Sequence, residues 1–280
     1  MAAHFFKRGS GPLVSVLIPS RGRPEHLYEA IASCHGQAAD KSLIEFIVRA
    51  DDDDEETVLM LNRLKFAGLY NLTIIVGPRG NGYYDMHKWV VEMARRATGD
   101  WLMFFNDDAR IAVAETGHWD QTLLFTAYNN PWFGIQDVCC LTAPTVGRPY
   151  TNEFLIFRRK VFELLGYLGD SPHADNWVHR VCDFVGAART VNILVSHDSG
   201  IINDKTRKES EAAYKTSIYT LTSLEARDKQ LLDAYYLVCA LHPSLCPFPR
   251  PITEPEEGFF QFCNSNSVLT ALKRSRLKCL

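Results

Sequence analysis

The feature that most constrains the fold is an alternation, over the first 105 residues, of short apolar runs with longer segments of helical spacing. The apolar runs predict strands at residues 13–19, 44–50, 72–77 and 100–105. The intervening segments predict helices at 24–36, 55–68 and 83–99. This β-α-β-α-β-α-β order predicts an α/β fold with a mainly parallel central sheet and flanking helices.

The pattern is looser beyond residue 110. Further strands are predicted at 138–144, 153–159 and 190–198, and further helices at 159–169, 176–187 and 206–241. Trp119 and Asp120 are expected in a turn with a structural or acceptor-side role. A proline-rich segment at 242–258 precedes a short basic C-terminus. We therefore expect a main domain over 1–205 and a helical, proline-rich C-terminal extension over 206–280 that packs on it.

Charge and cysteine usage narrow the class of protein. The net charge of −3 argues against a chain that coats nucleic acid. No apolar run is long enough to span a bilayer and the first residues lack a secretory pattern, so we expect no integral membrane association. The eight cysteines form no CxxC pair, which favours buried thiols in a reducing compartment. The expected location is the cytoplasm.

The residues after each predicted strand carry the chemistry, because ligands of open α/β sheets bind at the carboxyl ends of the strands. The segments 19–24 and 77–82 supply arginines and glycines, whereas 51–54 and 106–108 supply carboxylates. One edge thus offers partners for phosphate and ligands for a hard cation. A diphosphate with a divalent cation would satisfy both sets, and the cation would explain why two adjacent carboxylates end an apolar run.

Other nucleotide-binding classes fit poorly. The loop after the first strand is PSRGRP, which is not the GxGxxG pattern of a nicotinamide dehydrogenase. The chain has no GxxxxGK[ST] pattern, which argues against a P-loop kinase or ATPase. PSRGRP is also a poor match to the glycine-rich loop of a sugar-nucleotide pyrophosphorylase.

Three stretches together resemble the family 2-type glycosyltransferases of GT-A fold. VSVLIPSRGRPEHLYEAIASC resembles the family's first strand, which ends in Pro-Thr/Ser and leads into the nucleotide site, here Pro19 and Ser20. EFIVRADDDDEE is similar to its second strand, and FFNDDARI occupies the position of its DxD-type motif. The resemblance covers about residues 12–205 and makes 1–205 a GT-A catalytic domain.

The resemblance implies roles for the acidic residues. Asp108 would coordinate Mn²⁺ or Mg²⁺ bound to a nucleoside-diphosphate-sugar. Asp107 would hold the ribose hydroxyls or share the metal through water, and Asn106 departs from the usual leading aspartate. Asp51 is expected to contact the nucleobase, with Asp53 as the second choice.

Residues later in the chain complete the resemblance. Asp175, in HADNW, resembles the family's catalytic acid motif and is expected to be the general base. His197 follows an apolar strand, where a late histidine completes the metal site in many GT-A enzymes. The cations of the strand-end segments and the third helix are candidates for phosphate or base contacts: Arg21, Arg23, Arg79 and Lys88.

The sequence therefore predicts a metal-dependent glycosyltransferase that moves a sugar to a hydroxyl acceptor with inversion. The acceptor is expected to be a glycan or a small molecule. An alternative acceptor is a hydroxymethylpyrimidine of DNA, which the basic C-terminus, Arg148 and the run 158–160 favour slightly. Two further alternatives are a catalytically degenerate scaffold, which Asn106 leaves open, and a nucleotidyltransferase.

Overall fold

The computed structural model describes residues 13–128, 140–146, 154–169, 172–184, 187–197, 208–209, 212, 215 and 224–241. Predictions for the proline-rich segment and the basic C-terminus lie outside the described residues, as do Arg148 and most of the segment 198–223.

Four parallel strands form the first half of the central sheet, as the alternation predicts. They are β1 (Val14–Ser20), β2 (Ile44–Asp51), β3 (Leu72–Gly77) and β4 (Trp101–Phe104). β1 pairs in parallel with both β2 and β4, and β3 pairs with β2. Every residue of β2 is buried, which explains its nearly continuous apolar sequence.

Three later strands extend the sheet beyond β4. They are β6 (Cys140–Ala143), β7 (Phe154–Arg158) and β8 (Ala188–Thr190). β7 is antiparallel to both β4 and β6, and β8 is parallel to β6. The strand order is β3-β2-β1-β4-β7-β6-β8.

A second, two-stranded sheet was not predicted. β5 (Ala109–Ala114) pairs antiparallel with β9 (Ile193–His197), so that Ala109 lies opposite His197. The single strand predicted at 190–198 is wrong in this respect, because the chain leaves the main sheet after Thr190 and joins β5 from Ile193.

Helices cover both faces of the main sheet. They are α1 (Pro24–Gly36), α2 (Glu55–Ala67), α3 (Met86–Arg96), α4 (Trp119–Tyr128), α5 (Arg159–Leu165), α6 (Ala174–Phe184) and α7 (Leu224–Leu241). One hydrophobic core lies between the sheet and α1, α2 and α4. The other lies between the sheet and α3, α5, α6 and α7. In the parts of the chain that the structure describes, each helix is too short or too polar to cross a bilayer.

Local sequence explains the helix ends. Pro24 occupies the first turn of α1, where its missing N–H costs nothing. The Asp54 side chain accepts a hydrogen bond from the Thr57 amide and so caps α2. Gly68 ends α2 with φ +66°, a conformation that strains other residues. These signals are local, so the sequence predicts α1 and α2 closely.

The strand order reverses between β1 and β4. After β1 the chain enters α1 on one face of the sheet, whereas β4 is entered from α3 on the other face. The crevice between the carboxyl ends of β1 and β4 is therefore the topological switch point, where open α/β sheets bind their ligands.

Candidate functional site

The acidic pair Asp107–Asp108 lies in this crevice and is held by residues that follow β1. The Ser20 hydroxyl donates a 2.8 Å hydrogen bond to Asp107 Oδ2. The Arg23 guanidinium contacts both carboxylates, with Nη2 2.7 Å from Asp107 Oδ1 and Nη1 2.9 Å from Asp108 Oδ2. Both aspartates are buried, so the guanidinium offsets charge that water no longer solvates.

His197 reaches the same pair from the second sheet. Because Ala109 pairs with His197, the end of β9 lies beside Asp108. His197 Nε2 is 2.9 Å from Asp108 Oδ1, whereas Arg23 Nη1 contacts Oδ2. The structure thus brings together Ser20, Arg23, Asp107, Asp108 and His197, all of them predicted site residues.

The segment that carries the pair is also a turn. The Ala109 amide donates to the Asn106 carbonyl at 3.1 Å, and this turn directs β5 out of the main sheet. The turn that an Asn-Asp-Asp sequence favours and the buried carboxylate cluster are therefore both present.

The environment shifts the pKa values of the two carboxyl groups in opposite directions. Burial raises the pKa of Asp107 to about 6, against the opposing effects of the Arg23 charge and the Ser20 hydrogen bond. Burial also opposes ionisation of Asp108, but the hydrogen bond and charge of His197, together with the charge of Arg23, outweigh it and hold the pKa of Asp108 below its usual value. Asp108 is thus the better anion of the pair.

Asp51 forms a second charged cluster at the end of β2. Its Oδ2 is 2.8 Å from Arg21 Nη1, and its Oδ1 is paired with Arg49. The Arg49 guanidinium also donates to the Pro78 carbonyl after β3 and lies 4.3 Å from the centroid of the Trp89 ring. Asp51 and Arg49 are 1% and 3% exposed, so this ion pair is part of the protein interior.

The other aspartates after β2 differ in their surroundings. Asp53 is exposed and accepts hydrogen bonds from both terminal nitrogens of Arg21. This pairing lowers the pKa of Asp53 and raises that of Arg21. Asp54 caps α2 and also accepts a 2.6 Å hydrogen bond from the Gly22 amide. The acidic run therefore joins the loops that follow β1 and β2.

Two predicted phosphate or base contacts pair elsewhere. Arg79 pairs with Glu209, a residue of the predicted C-terminal extension. The Glu209 carboxylate also lies next to Gly82, in the glycine-rich loop at 77–82. Lys88 lies on α3, is 63% exposed at its side chain, and pairs with Asp85 at 2.7 Å. Neither is brought onto the acidic pair by these contacts, and their roles toward a donor stay predictions.

Asp175 lies in the first turn of α6, not just before the helix as the sequence suggests. The loop that precedes α6 includes His173, whose burial lowers its pKa. α6 leads into β8, which runs parallel to β6 and hence in the direction of β4. The Ala187 amide donates to the Cys182 carbonyl at 2.8 Å, so α6 ends beside the start of β8.

The donor set at Asp108 suits a divalent cation in part. A carboxylate oxygen and an imidazole nitrogen, 2.9 Å apart, are ligands that Mn²⁺ accepts. Over the described ranges, no group of three or more His, Cys, Asp or Glu side chains could hold a metal ion. A cation here would therefore take its remaining ligands from water or from the phosphates of a bound nucleotide.

Sequence reasoning missed Arg49 and Trp89 but contained a signal for the first. Arg49 interrupts the apolar run IEFIVRA, and a charge within a buried strand requires a partner. Trp119 and Asp120, by contrast, have structural roles at the start of α4. The Trp119 indole donates to the Cys34 carbonyl at 2.7 Å, and Asp120 accepts from the amides of residues 39 and 40.

Comparison with known proteins defines the class of fold. Residues 15–114, from β1 to β5, match the family model for Glycosyl transferase family 2. No curated protein matches the sequence.

Three solved structures show how far the fold is shared. The mannosyltransferase PcManGT from Pyrobaculum calidifontis, in complex with GDP-Man and Mn²⁺, is 14% identical, with TM-score 0.51 over 95% of this chain and 87% of that one. S. aureus TarS 1-349 in complex with UDP is 12% identical, with TM-score 0.51 over 96% and 92%. Glucosyl-3-phosphoglycerate synthase from Mycobacterium tuberculosis, in complex with Mn²⁺, uridine-diphosphate and phosphoglyceric acid, is 13% identical, with TM-score 0.51 over 75% and 78%.

These likenesses establish an α/β fold that the chain shares with glycosyltransferases of solved structure. More particularly, the chain has a GT-A fold of the family 2 type, as the sequence resemblance implies.

Proposed function

We propose that the protein is a glycosyltransferase that moves a sugar from a nucleoside-diphosphate-sugar to a hydroxyl acceptor. The observation that carries the proposal is the cluster that Arg23 and His197 form with the buried Ser20, Asp107 and Asp108 at the switch point of the sheet. The family model covers Ser20, Arg23, Asp107 and Asp108 but not His197, and structures of this fold hold GDP-Man or UDP.

The donor would lie across the ends of β1, β2 and β4. Asp51 would contact the nucleobase, with Asp53 and Arg21 beside it, and would have to leave Arg21 to do so because its other oxygen is paired with the buried Arg49. Asp107 would hold the ribose, and the Arg23 guanidinium, which contacts both aspartates, would have to leave them to pair with phosphate. Arg79 and Lys88 would have to leave Glu209 and Asp85 to reach the same donor.

Asp108 and His197 would hold the divalent cation, Mn²⁺ or Mg²⁺, together with the diphosphate. Such a cation supplies Lewis-acid stabilisation of the negative charge on the leaving diphosphate. Mn²⁺ is present in two of the related structures, the mannosyltransferase and the synthase. Mg²⁺ would suit the same oxygen ligands.

Asp175 would act as the general base. Its carboxylate takes the proton of the acceptor hydroxyl while that oxygen forms a bond to the anomeric carbon. The bond from the anomeric carbon to the phosphate oxygen breaks, and its electron pair leaves with the nucleoside diphosphate. A single displacement of this kind inverts the anomeric configuration. A product with retained configuration would contradict it.

The acceptor is proposed only as a class, a glycan or a small molecule. The DNA alternative loses part of its support, because Arg159 and Lys160 pair with Glu163 and Arg158 lies 5.1 Å from the centroid of the Trp101 ring. We retain a cytoplasmic location as a proposal, and the buried thiols of Cys34 and Cys182 are consistent with a reducing compartment.

A thermal-shift panel of nucleoside diphosphates and nucleotide-sugars, each with and without Mn²⁺, tests the proposal. A donor that binds the native state raises the melting temperature with its concentration. We expect a shift that depends on Mn²⁺ for one nucleobase, and its loss in Asp108→Ala.

Asp100→Ala is the matched control. Asp100 is an exposed aspartate just before β4, at the opposite edge of the sheet, so its substitution is expected to leave the shift intact. If no nucleotide shifts the folded wild-type protein, the glycosyltransferase assignment fails and a scaffold role replaces it. Release of pyrophosphate instead of a nucleoside diphosphate would indicate a nucleotidyltransferase.

A further inference from the structure

One side chain provides positive charge to both carboxylates of the acidic pair. The Arg23 guanidinium spans Asp107 and Asp108 through two different nitrogens, at 2.7 and 2.9 Å. Asp107 also accepts a hydrogen bond from the Ser20 hydroxyl, and Asp108 is also hydrogen-bonded to His197. The positive group that two adjacent buried carboxylates require is thus supplied by the chain itself.

This arrangement conflicts with simple binding of a cation to the pair. Arg23 occupies Oδ2 of Asp108, and His197 is hydrogen-bonded to Oδ1. A divalent cation that bound Asp108 would lie a few ångströms from the guanidinium, and like charges at such separations in a poorly hydrated site repel strongly. The guanidinium and the cation therefore compete for the same carboxylate.

The position of Arg23 gives its side chain an alternative. Arg23 is the residue immediately before α1, and its side chain is 23% exposed, so it borders both the buried pair and the open crevice. A diphosphate in that crevice offers a guanidinium two or more oxygens, a partner at least as good as a carboxylate.

We propose that Arg23 and the divalent cation are alternative partners of Asp108, and that Arg23 thereby makes metal binding depend on the nucleotide. Without a donor, Arg23 holds Asp107 and Asp108 and keeps metal affinity low. When the donor binds, the guanidinium transfers to its diphosphate and Asp108 becomes available to the cation. The inference rests on the proposed donor site and adds a residue that sets its metal requirement.

The coupling has a thermodynamic consequence that can be measured without turnover. If nucleotide raises metal affinity by a given factor, metal raises nucleotide affinity by the same factor. Removal of the Arg23 charge should reduce this coupling, because the cation then no longer displaces a guanidinium.

The experiment is a Mn²⁺ titration followed by the EPR signal of the free ion, with and without the nucleoside diphosphate that gives the largest thermal shift. Wild type is compared with Arg23→Gln, Arg23→Lys and Arg110→Gln. Arg110 is the matched control, because its guanidinium pairs with Glu29 and contacts neither carboxylate of the acidic pair.

Without nucleotide, we expect Arg23→Gln to bind Mn²⁺ at least about tenfold more tightly than wild type, whereas Arg23→Lys and Arg110→Gln stay close to wild type. With nucleotide, wild type should gain Mn²⁺ affinity by a larger factor than Arg23→Gln. Should Arg23→Gln fold poorly with Asp107 left unpaired, the comparison is repeated in Asp107→Asn, which removes that second buried charge.

Equal Mn²⁺ affinities of wild type and Arg23→Gln without nucleotide would overturn the inference. Nucleotide binding to wild type that is as tight in EDTA as in Mn²⁺ would overturn it too, because Arg23 would then replace the cation permanently. In both cases the nucleotide still binds, so the proposed use of a nucleotide donor survives, although the second result would remove its proposed metal requirement. The absence of any nucleotide shift would instead overturn both.

Discussion

The need to pair each buried charge explains the identity of most site residues. Arg49 is fixed by Asp51, the Pro78 carbonyl and the Trp89 ring, so a lysine could not replace its planar, multiply bonded guanidinium. The sequence shows which charges stand at strand ends. It does not show how they pair, because each arginine has several carboxylates within reach and the backbone geometry selects among them.

Outside the site, a histidine links the stability of the fold to pH. The His35 ring packs edge-on against Tyr70, with centroids 4.8 Å apart, and burial, then the charge of Lys41, lowers its pKa below 6.5. The unfolded chain takes up this proton at higher pH, so protonation favours unfolding. The contribution of His35 is complete above pH 6.5 and is lost as the pH falls through the lower, folded-state pKa.

We therefore expect His35→Phe, which keeps a ring against Tyr70, to make the melting temperature fall less steeply below pH 6.5 than in wild type. Melting curves from about pH 7.5 to 5.0 measure this slope. His118→Phe changes an exposed histidine and should keep the wild-type slope. Equal slopes for all three proteins would show that His35 does not contribute.

Helices and strands that local sequence marks were predicted, whereas pairings between distant segments were not. The bounds of α1 and β3 match the sequence because a proline, glycines and a β-branched run mark them locally. β5 and its pairing with β9 were missed because the partners lie about 80 residues apart in the chain, although a strand was predicted over the residues of β9. α4 had a usable signal, since Trp119, Leu123 and Ala127 are buried at helical spacing.

The packing of α7 depends on one buried carboxylate. Asp233 accepts hydrogen bonds from the Tyr167 hydroxyl at 2.6 Å and from the Trp177 indole at 2.9 Å. These donors lie after α5 and within α6, two residues beyond Asp175. Asp233 thus joins three elements next to the proposed base, where unmatched donors would be costly.

We expect Asp233→Ala to lower the free energy of unfolding by about 3 kcal/mol, because it leaves two donors without this acceptor. Tyr167→Phe should cost about 1 kcal/mol, since only one hydrogen bond is lost. The double variant should cost less than the sum, because the hydroxyl has nothing to lose once Asp233 is absent. Urea unfolding of the four proteins measures the cycle; additive costs would mean that the two groups do not interact.

For the molecule as a whole, the contacts that residues beyond 205 make with the preceding domain are relevant to the predicted domain division at residue 205. The core on one face includes Ala226, Ala234 and Leu237 of α7 among its buried residues. Glu209, also beyond residue 205, pairs with Arg79 in the glycine-rich loop. A segment that completes a core and contacts a site loop is expected to be needed for folding of the preceding domain.

This expectation distinguishes two truncations of the chain. Ending the chain at 205 removes α7, exposes its apolar contacts on α5 and α6 and deprives Tyr167 and Trp177 of their acceptor. We expect this form to unfold at lower urea concentration, or not to fold, and to lose the nucleotide-dependent thermal shift. Ending it at 241 keeps all of these contacts and should preserve both properties. If the 205-residue form is as stable as the full chain and still binds nucleotide, residues 206–280 are a dispensable extension, and α7 does not support the site.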